Sequence, residues 1–166
     1  MPKNILEWRA LFLSILIAQS AGVVGSLVTF GALPLWYAKL TLPVFAPPSW
    51  VFGPVWGVLY TLMGVALYLV WKSRGGTPAR ARRRERGLQL FAIQLALNAL
   101  WSVLFFGLQS PLYGLIGIVV LDSAVAATLF YFWSVKKSAG ILMAPYLLWI
   151  LFATLLNAQI YFLNLS

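Results

Sequence analysis

The chain has 166 residues, 62% of them hydrophobic and only 9% charged, with a formal net charge of +9. Ordinary soluble domains carry about 25% charge, so this composition describes an integral membrane protein with almost no room for a separate soluble domain. There is no Cys and no His, which excludes disulfides, thiol catalysis, zinc sites, histidine acid–base chemistry and haem ligation by His or Cys.

The first apolar run, Ala10 to Phe30, follows Lys3, Glu7 and Arg9. It is longer than the apolar core of a signal peptide and lacks a clear small-residue cleavage site, so it reads as a retained first span. Gly31 and Pro34 should end this helix near Phe30, leaving 31–48 as a loop. Prolines 43, 47, 48 and 54 then stiffen a stretch rich in Trp36, Tyr37, Trp50, Trp56 and Tyr60. Each proline fixes φ and lacks a backbone donor, which confines the second helix to about 49–71. Flat aromatic surface beside a stiff backbone fits either an interfacial belt or a site for a flat, apolar ligand.

From Gly87 to Val135 the only charge is Asp122. One helix of that length would be roughly twice as long as the hydrocarbon core is thick. It must turn, and Gly107–Pro111 is the natural place, giving spans of about 87–108 and 111–133. A fifth span follows at about 140–163, completing an all-α bundle of five transmembrane helices in a single domain. Of the twelve Lys and Arg residues, eleven fall on the side of the N-terminus and Lys39 alone on the other. By the positive-inside rule the N-terminus is cytoplasmic, as in a prokaryotic cell membrane. The run RARRRER at 80–86 lies between two spans and reads as a loop facing solvent and lipid headgroups, with no nucleic-acid partner.

Two helical faces could build a pocket. In the third helix Gln94, Asn98, Trp101 and Phe105 share one stripe, with Ser102 beside it. In the fifth helix Tyr146, Trp149, Ala153 and Asn157 repeat a similar spacing. Amides in hydrocarbon are costly unless paired, so both faces should point into the bundle. They can serve there as helix–helix hydrogen bonds or as ligand contacts. Small residues of the first helix (Ala18, Ala21, Gly22, Gly25, Ser26) and of the second (Gly53, Gly57, Gly64) allow close packing, or a wall that leaves room for a ligand. Asp122 is the one acid deep in a span, with no Lys, Arg or His at its depth.

Three blocks of sequence resemble the tryptophan-rich sensory protein or translocator protein family (TspO/MBR), also called peripheral benzodiazepine receptors. They run from Trp36 to Gly64, from Gln94 to Gly107 and from Pro145 to Asn157. The resemblance implies a five-helix bundle, often a homodimer, whose first long loop lids a pocket for porphyrins and synthetic flat ligands. It implies a ligand site of Trp36, Trp50, Trp56, Tyr60, Asn98, Trp101, Ser102, Phe105, Tyr146, Trp149, Ala153 and Asn157. The expected ligand is a porphyrin, protoporphyrin IX or haem, gripped by stacking and hydrogen bonds, with no required cofactor and no metal ligand. Two departures stand out. Many members carry Lys before the lid proline, where this chain has Leu42, leaving Lys39 as the nearby cation. The cholesterol-recognition pattern of animal members is missing, because Tyr161 is followed by FLNLS.

The leading functional reading is a membrane-embedded tetrapyrrole-binding protein acting as sensor, scavenger or transporter. The alternatives are a porphyrin-degrading enzyme driven by light and oxygen, with tryptophans as electron donors, and a proton-coupled exporter using Asp122. No catalytic acid–base set is present, so catalysis is not the expected role.

Overall fold

In a computed structural model, described for residues 3–165, the chain forms five long helices and, among the described residues, no strand. They are α1 (Lys3–Leu35), α2 (Ser49–Lys72), α3 (Pro78–Ser102), α4 (Pro111–Val135) and α5 (Lys137–Leu163). All five are long and apolar enough to cross a bilayer. Large apolar side chains such as Leu27, Phe30, Phe130, Leu148 and Leu155 point outward. Large apolar side chains turned outward on every helix, with Val58 on α2 and Ile93 on α3, are the pattern of a lipid-facing surface.

The helices close a ring in the order α1, α2, α5, α4, α3. In the half nearer the Arg-rich end the ring is solid. Met63, Val70, Phe91, Val125, Phe132 and Met143 are buried there, and Phe91 stacks on Phe132 with ring centroids 5.7 Å apart. α1 and α2 meet at Gly64, where an added Cβ would run into the backbone of Ile15. Backbones approach this closely only where a side chain is missing, which is how small residues hold transmembrane helices together.

Three boundaries differ from those expected. α1 continues past Phe30 to Leu35, through Gly31 and Pro34. Pro34 lies in the last turn, and the bond from Trp36 N to Ala32 O (2.9 Å) closes that turn despite it. The lid segment is accordingly shorter, beginning at Trp36 with a 3₁₀ turn over Tyr37–Lys39. The run Arg80–Arg86 is not a loop but the opening turns of α3. Thr77 caps that helix by accepting from Arg80 N (3.3 Å), and Pro78 takes the first helical position, where no donor is needed.

The arginines then serve the ends of neighbouring helices. Arg80 Nη2 donates to Val135 O (3.0 Å), at the end of α4. Arg84 donates to Val70 O (3.1 Å) and Trp71 O (2.8 Å), at the end of α2. Cations at carbonyl-bearing helix ends satisfy orphan acceptors and oppose the helix dipole.

The turn between α3 and α4 falls where the sequence places it. α3 widens over Val103–Gly107 into a π turn, closed by Leu108 N donating to Val103 O (2.8 Å). Gln109 adopts φ 50°, and Ser110 caps α4 by accepting from Tyr113 N (3.3 Å). π turns are uncommon and concentrate at functional sites.

Candidate functional site

The other half of the ring, toward the 36–48 segment, is hollow, and of that segment only Tyr37 reaches the lining. A cavity of about 520 Å³ lies among α1, α2, α3 and α5, within the usual size of small-molecule sites. Ten of the twelve residues expected at the site line it: Trp50, Trp56, Tyr60, Asn98, Trp101, Ser102, Phe105, Trp149, Ala153 and Asn157. Trp36 and Tyr146 do not. Trp36 packs edge-on against Phe105 (5.3 Å), and its neighbour Tyr37 lines the cavity instead. Tyr146 is fully buried behind the wall, edge-on to Trp56 (6.0 Å).

The walls are aromatic pairs at right angles and in stacks. Trp56 stacks on Tyr60 (5.2 Å, 28°), and Trp101 stacks on Phe105 (5.4 Å, 18°). Phe52 meets Trp149 edge-on at 6.0 Å. These rings hold one another in fixed orientations, so a flat ligand would meet faces that are already set. Trp50 stands apart, at the rim and 75% exposed.

A buried polar chain ties the wall together. Tyr60 Oη donates to Asn98 Oδ1, and Asn98 Nδ2 donates to Tyr146 Oη (3.1 Å). One amide thereby joins α2, α3 and α5, as the sequence reading of these faces as helix–helix bonds requires. Asn157 does likewise, donating to Pro111 O (2.8 Å) at the start of α4.

Other polar atoms are left over. The indole N–H groups of Trp101 and Trp149, and Oδ1 of Asn157, are buried without a hydrogen-bond partner. All three residues line the cavity. None of these three atoms opens onto the cavity: each has almost no accessible surface, and Asn157 Oδ1 lies against Gly114 of α4. None of the lining residues is charged. Leu42 and Lys39 both lie outside the lining, so Lys39 does not supply the cation that the lid lacks.

α1 supplies a wall of the cavity, the second of the two readings its small residues allow. Gln19, Gly22, Gly25, Ser26 and Thr29 line the cavity. Gly22 is required there, because a Cβ would come within 2.5 Å of the Tyr60 ring. Its signal in the sequence was the small-residue stripe, which is equally the signal of plain packing. Gln19 is a span amide like Gln94, and its Nε2 donates to Gly57 O (3.1 Å) and Thr61 Oγ1 (3.2 Å).

Asp122 stands elsewhere, between α4 and α5, where Thr154 Oγ1 donates to its Oδ2 (2.8 Å). It does not line the cavity. Among the described residues no cluster of metal-ligating side chains occurs.

The lid segment is tied down at its far side. Asn164 Oδ1 accepts from Thr41 N and its Nδ2 donates to Thr41 O, both at 3.0 Å, and Phe45 packs on Phe152 at 6.2 Å. Asn164→Ala should free the strap at its middle while leaving helical content unchanged. Ligand dissociation should quicken by about threefold to tenfold, the value of one or two exposed hydrogen bonds. Stopped-flow fluorescence measures this; an unchanged rate would reduce the strap to a connector.

The profile of the TspO/MBR family matches residues 14–163, which take in the lid, the π turn and every wall of the cavity. This chain belongs to the TspO/MBR family. It is 45% identical over 161 residues to the tryptophan-rich protein TspO of Archaeoglobus fulgidus, covering 97% of this chain and 99% of that one. It is 42% identical over 164 residues to the protein of the same name from Chlorobaculum tepidum, covering 99% of each. It is 42% identical over 142 residues to the human translocator protein, covering 85% of this chain and 82% of that one. With five spanning helices and relatives of this kind, the chain is a multi-pass integral membrane protein. The three sequence blocks that carry the family resemblance supply the lid with α2, the end of α3 with its π turn, and α5. They meet at the cavity.

Proposed function

We propose that this TspO/MBR protein binds a porphyrin or a similarly flat, hydrophobic molecule in the cavity toward the 36–48 segment, as a sensor, scavenger or transporter. One observation carries the reading: an uncharged cavity of about 520 Å³ walled by Trp56, Trp101 and Trp149. Ring faces would hold the macrocycle by stacking. The cavity lining has no His, Cys or Met; its phenols are those of Tyr37 and Tyr60, and that of Tyr60 is engaged with Asn98. Names of relatives agree with such roles, since they include a tryptophan-rich sensory protein of Cereibacter sphaeroides and translocator proteins of mammals. Titrating the purified protein with protoporphyrin IX should quench tryptophan fluorescence saturably, with one site per chain. Linear, unsaturable quenching would refute the proposal.

The same tryptophans favour a second reading, photochemical breakdown of the bound porphyrin, with an indole as the electron donor to the excited macrocycle and oxygen as oxidant. Light-dependent bleaching that Trp101→Phe or Trp149→Phe abolishes would select it. A homodimer, as the family resemblance implies, is the proposed assembly, read out by cross-linking in native membranes.

The proposed orientation has the N-terminus in the cytoplasm, since the charged end carries Arg9, Lys72, Arg74, Arg80–Arg86, Lys136 and Lys137 while Lys39 sits at the lid end. A phosphatase reporter fused after Ser166 should be active outside the cytoplasm; activity of a cytoplasmic reporter there would reverse the assignment.

A further inference from the structure

The cavity has a mouth, and its position follows from where the lining is exposed. Five lining residues are exposed: Val23 and Phe30 of α1, and Ser49, Trp50 and Gly53 of α2. No lining residue of α3, its π turn or α5 is exposed. The opening therefore lies between α1 and α2. At the end toward the 36–48 segment the way is filled, because Tyr37 is buried against Phe105 (6.3 Å) and Phe106 (5.8 Å).

The split has a cause in the packing of α1. In the solid half α1 lies on α2, with Ile15 against Gly64 and Gly22 against the Tyr60 ring. Beyond that level α1 leans on α3 instead. A Cβ on Gly25 would come within 2.8 Å of Ser102 Oγ, and one on Gly107 within 3.1 Å of Val28 Cγ1. On α2, by contrast, a Cβ on Gly57 or Gly53 would meet nothing within 4 Å. The two helices part above Tyr60, and the glycines of α2 keep the gap free of side chains.

The gap faces lipid. Counted from Lys72, Gly57 lies about 22 Å and Gly53 about 28 Å along α2, still inside a hydrocarbon core of ~30 Å but in its far leaflet. Trp50 follows about one turn later, at the level where tryptophan is enriched in membrane interfaces. The rim is apolar, and the Ser26 hydroxyl beside it is already donated to Val23 O (2.8 Å). A passage to water would need polar groups there; a passage to hydrocarbon does not.

We propose that the cavity opens laterally, through the split between α1 and α2, into the leaflet at the lid end, and that it takes its ligand from the bilayer and not from water. This rests on the binding reading above and narrows the ligand class to flat molecules that dissolve in lipid. The passage needs no movement of the 36–48 segment. Freeing the strap at Asn164 adds a second way out at the lid end and does not close this one.

The test staples the split in the full chain, held in lipid nanodiscs. The chain has no Cys, so two introduced cysteines are its only thiols. Val23→Cys with Gly53→Cys is joined across the gap by a bis-maleimide that reductant cleaves. Protoporphyrin IX is the probe, and stopped-flow tryptophan quenching gives its rates. Stapling should slow association by about tenfold or more, with recovery on cleavage. Stapling after loading should slow dissociation to the same degree, because a closed passage acts in both directions. Thr41→Cys with Asn164→Cys, stapled likewise across the tie of the lid, should leave association unchanged. Ser26→Cys with Gly57→Cys spans the same split and serves if the first pair does not fold. Equal association before and after stapling the split would overturn the proposal, as would a block of entry by the lid staple alone. Loss of affinity with dissociation not slowed would mean that the staple fills the site, and would overturn it too. Absence of saturable quenching in the unstapled protein would remove the binding reading and the passage with it, a failure seen before any linker is added.

Discussion

Asn98→Leu should lower the stability of the detergent-solubilised protein by about 1–3 kcal/mol, with the melting temperature read by far-ultraviolet circular dichroism. The amide is 3% exposed, accepts from Tyr60 Oη on α2 and donates to Tyr146 Oη on α5. Leucine preserves most of the volume but leaves both phenols without that partner. In a soluble core each buried, unpaired group would cost about 1–3 kcal/mol. Between transmembrane helices the measured worth of a hydrogen bond averages about 0.6 kcal/mol, with a maximum near 1.7. Two such bonds made by one amide place the sum in the stated range. Tyr146→Phe should cost less, because it takes one acceptor from Nδ2 and leaves the Tyr60 bond intact. A double-mutant cycle between Tyr60→Phe and Asn98→Leu should show a positive coupling energy. Additive losses would mean that the two residues do not communicate through their bond. Porphyrin affinity should also fall in Asn98→Leu, since Tyr60 and its stacked partner Trp56 form one wall of the cavity.

Ala153→Thr should weaken binding of a bulky flat ligand by roughly 1–3 kcal/mol while leaving the fold in place. Ala153 is 9% exposed and lines the cavity, one turn from Trp149 and one from Asn157 on α5. Threonine adds two heavy atoms at a wall made of large rings. Its hydroxyl has an outlet, because it can bond to the carbonyl four residues back. Thr61, Thr128 and Thr154 all do so in this protein, to Gly57, Ala124 and Ile150. With the hydroxyl satisfied, the remaining effect is the methyl group intruding on the ligand or pressing on α2. Ala127→Thr on α4, outside the cavity lining, is the control. Equal loss at both positions would indicate general destabilisation, and unchanged affinity at Ala153 would remove α5 from the site.

Five spans, their turns and the gathering of cations at one end were legible in the sequence because the bilayer is an unforgiving solvent. It sets helix length, and it forces amides such as Asn98 and Asn157 to face inward. A 3.6-residue period then brings Trp101, Phe105, Trp149 and Ala153 to the same interior with no further information. What the period cannot resolve is depth across a face. Tyr146 and Trp149 share a stripe, yet Tyr146 lies behind the wall and Trp149 in it, because the neighbouring Trp56 covers one and not the other. Tyr37 lines the cavity and Trp36 does not for a related reason. They sit where α1 passes into a 3₁₀ turn, and no periodicity governs which ring enters.

Helix ends were also decided by local bonding that composition does not register. Pro34 falls late enough in α1 for the last turn to close around it, and Thr77 with Pro78 starts α3 ahead of the arginines. The sequence by itself determined that this is a five-span membrane protein with polar and aromatic faces turned to a common centre. Only the tertiary structure decided that the centre is solid at the charged end and hollow at the other, with α1 as the missing wall. The reason is physical: Gly22, Gly25 and Ser26 permit helix contact and cavity equally well, and the Tyr60 ring, seated against Gly22 and fixed by Asn98, determines which of the two forms.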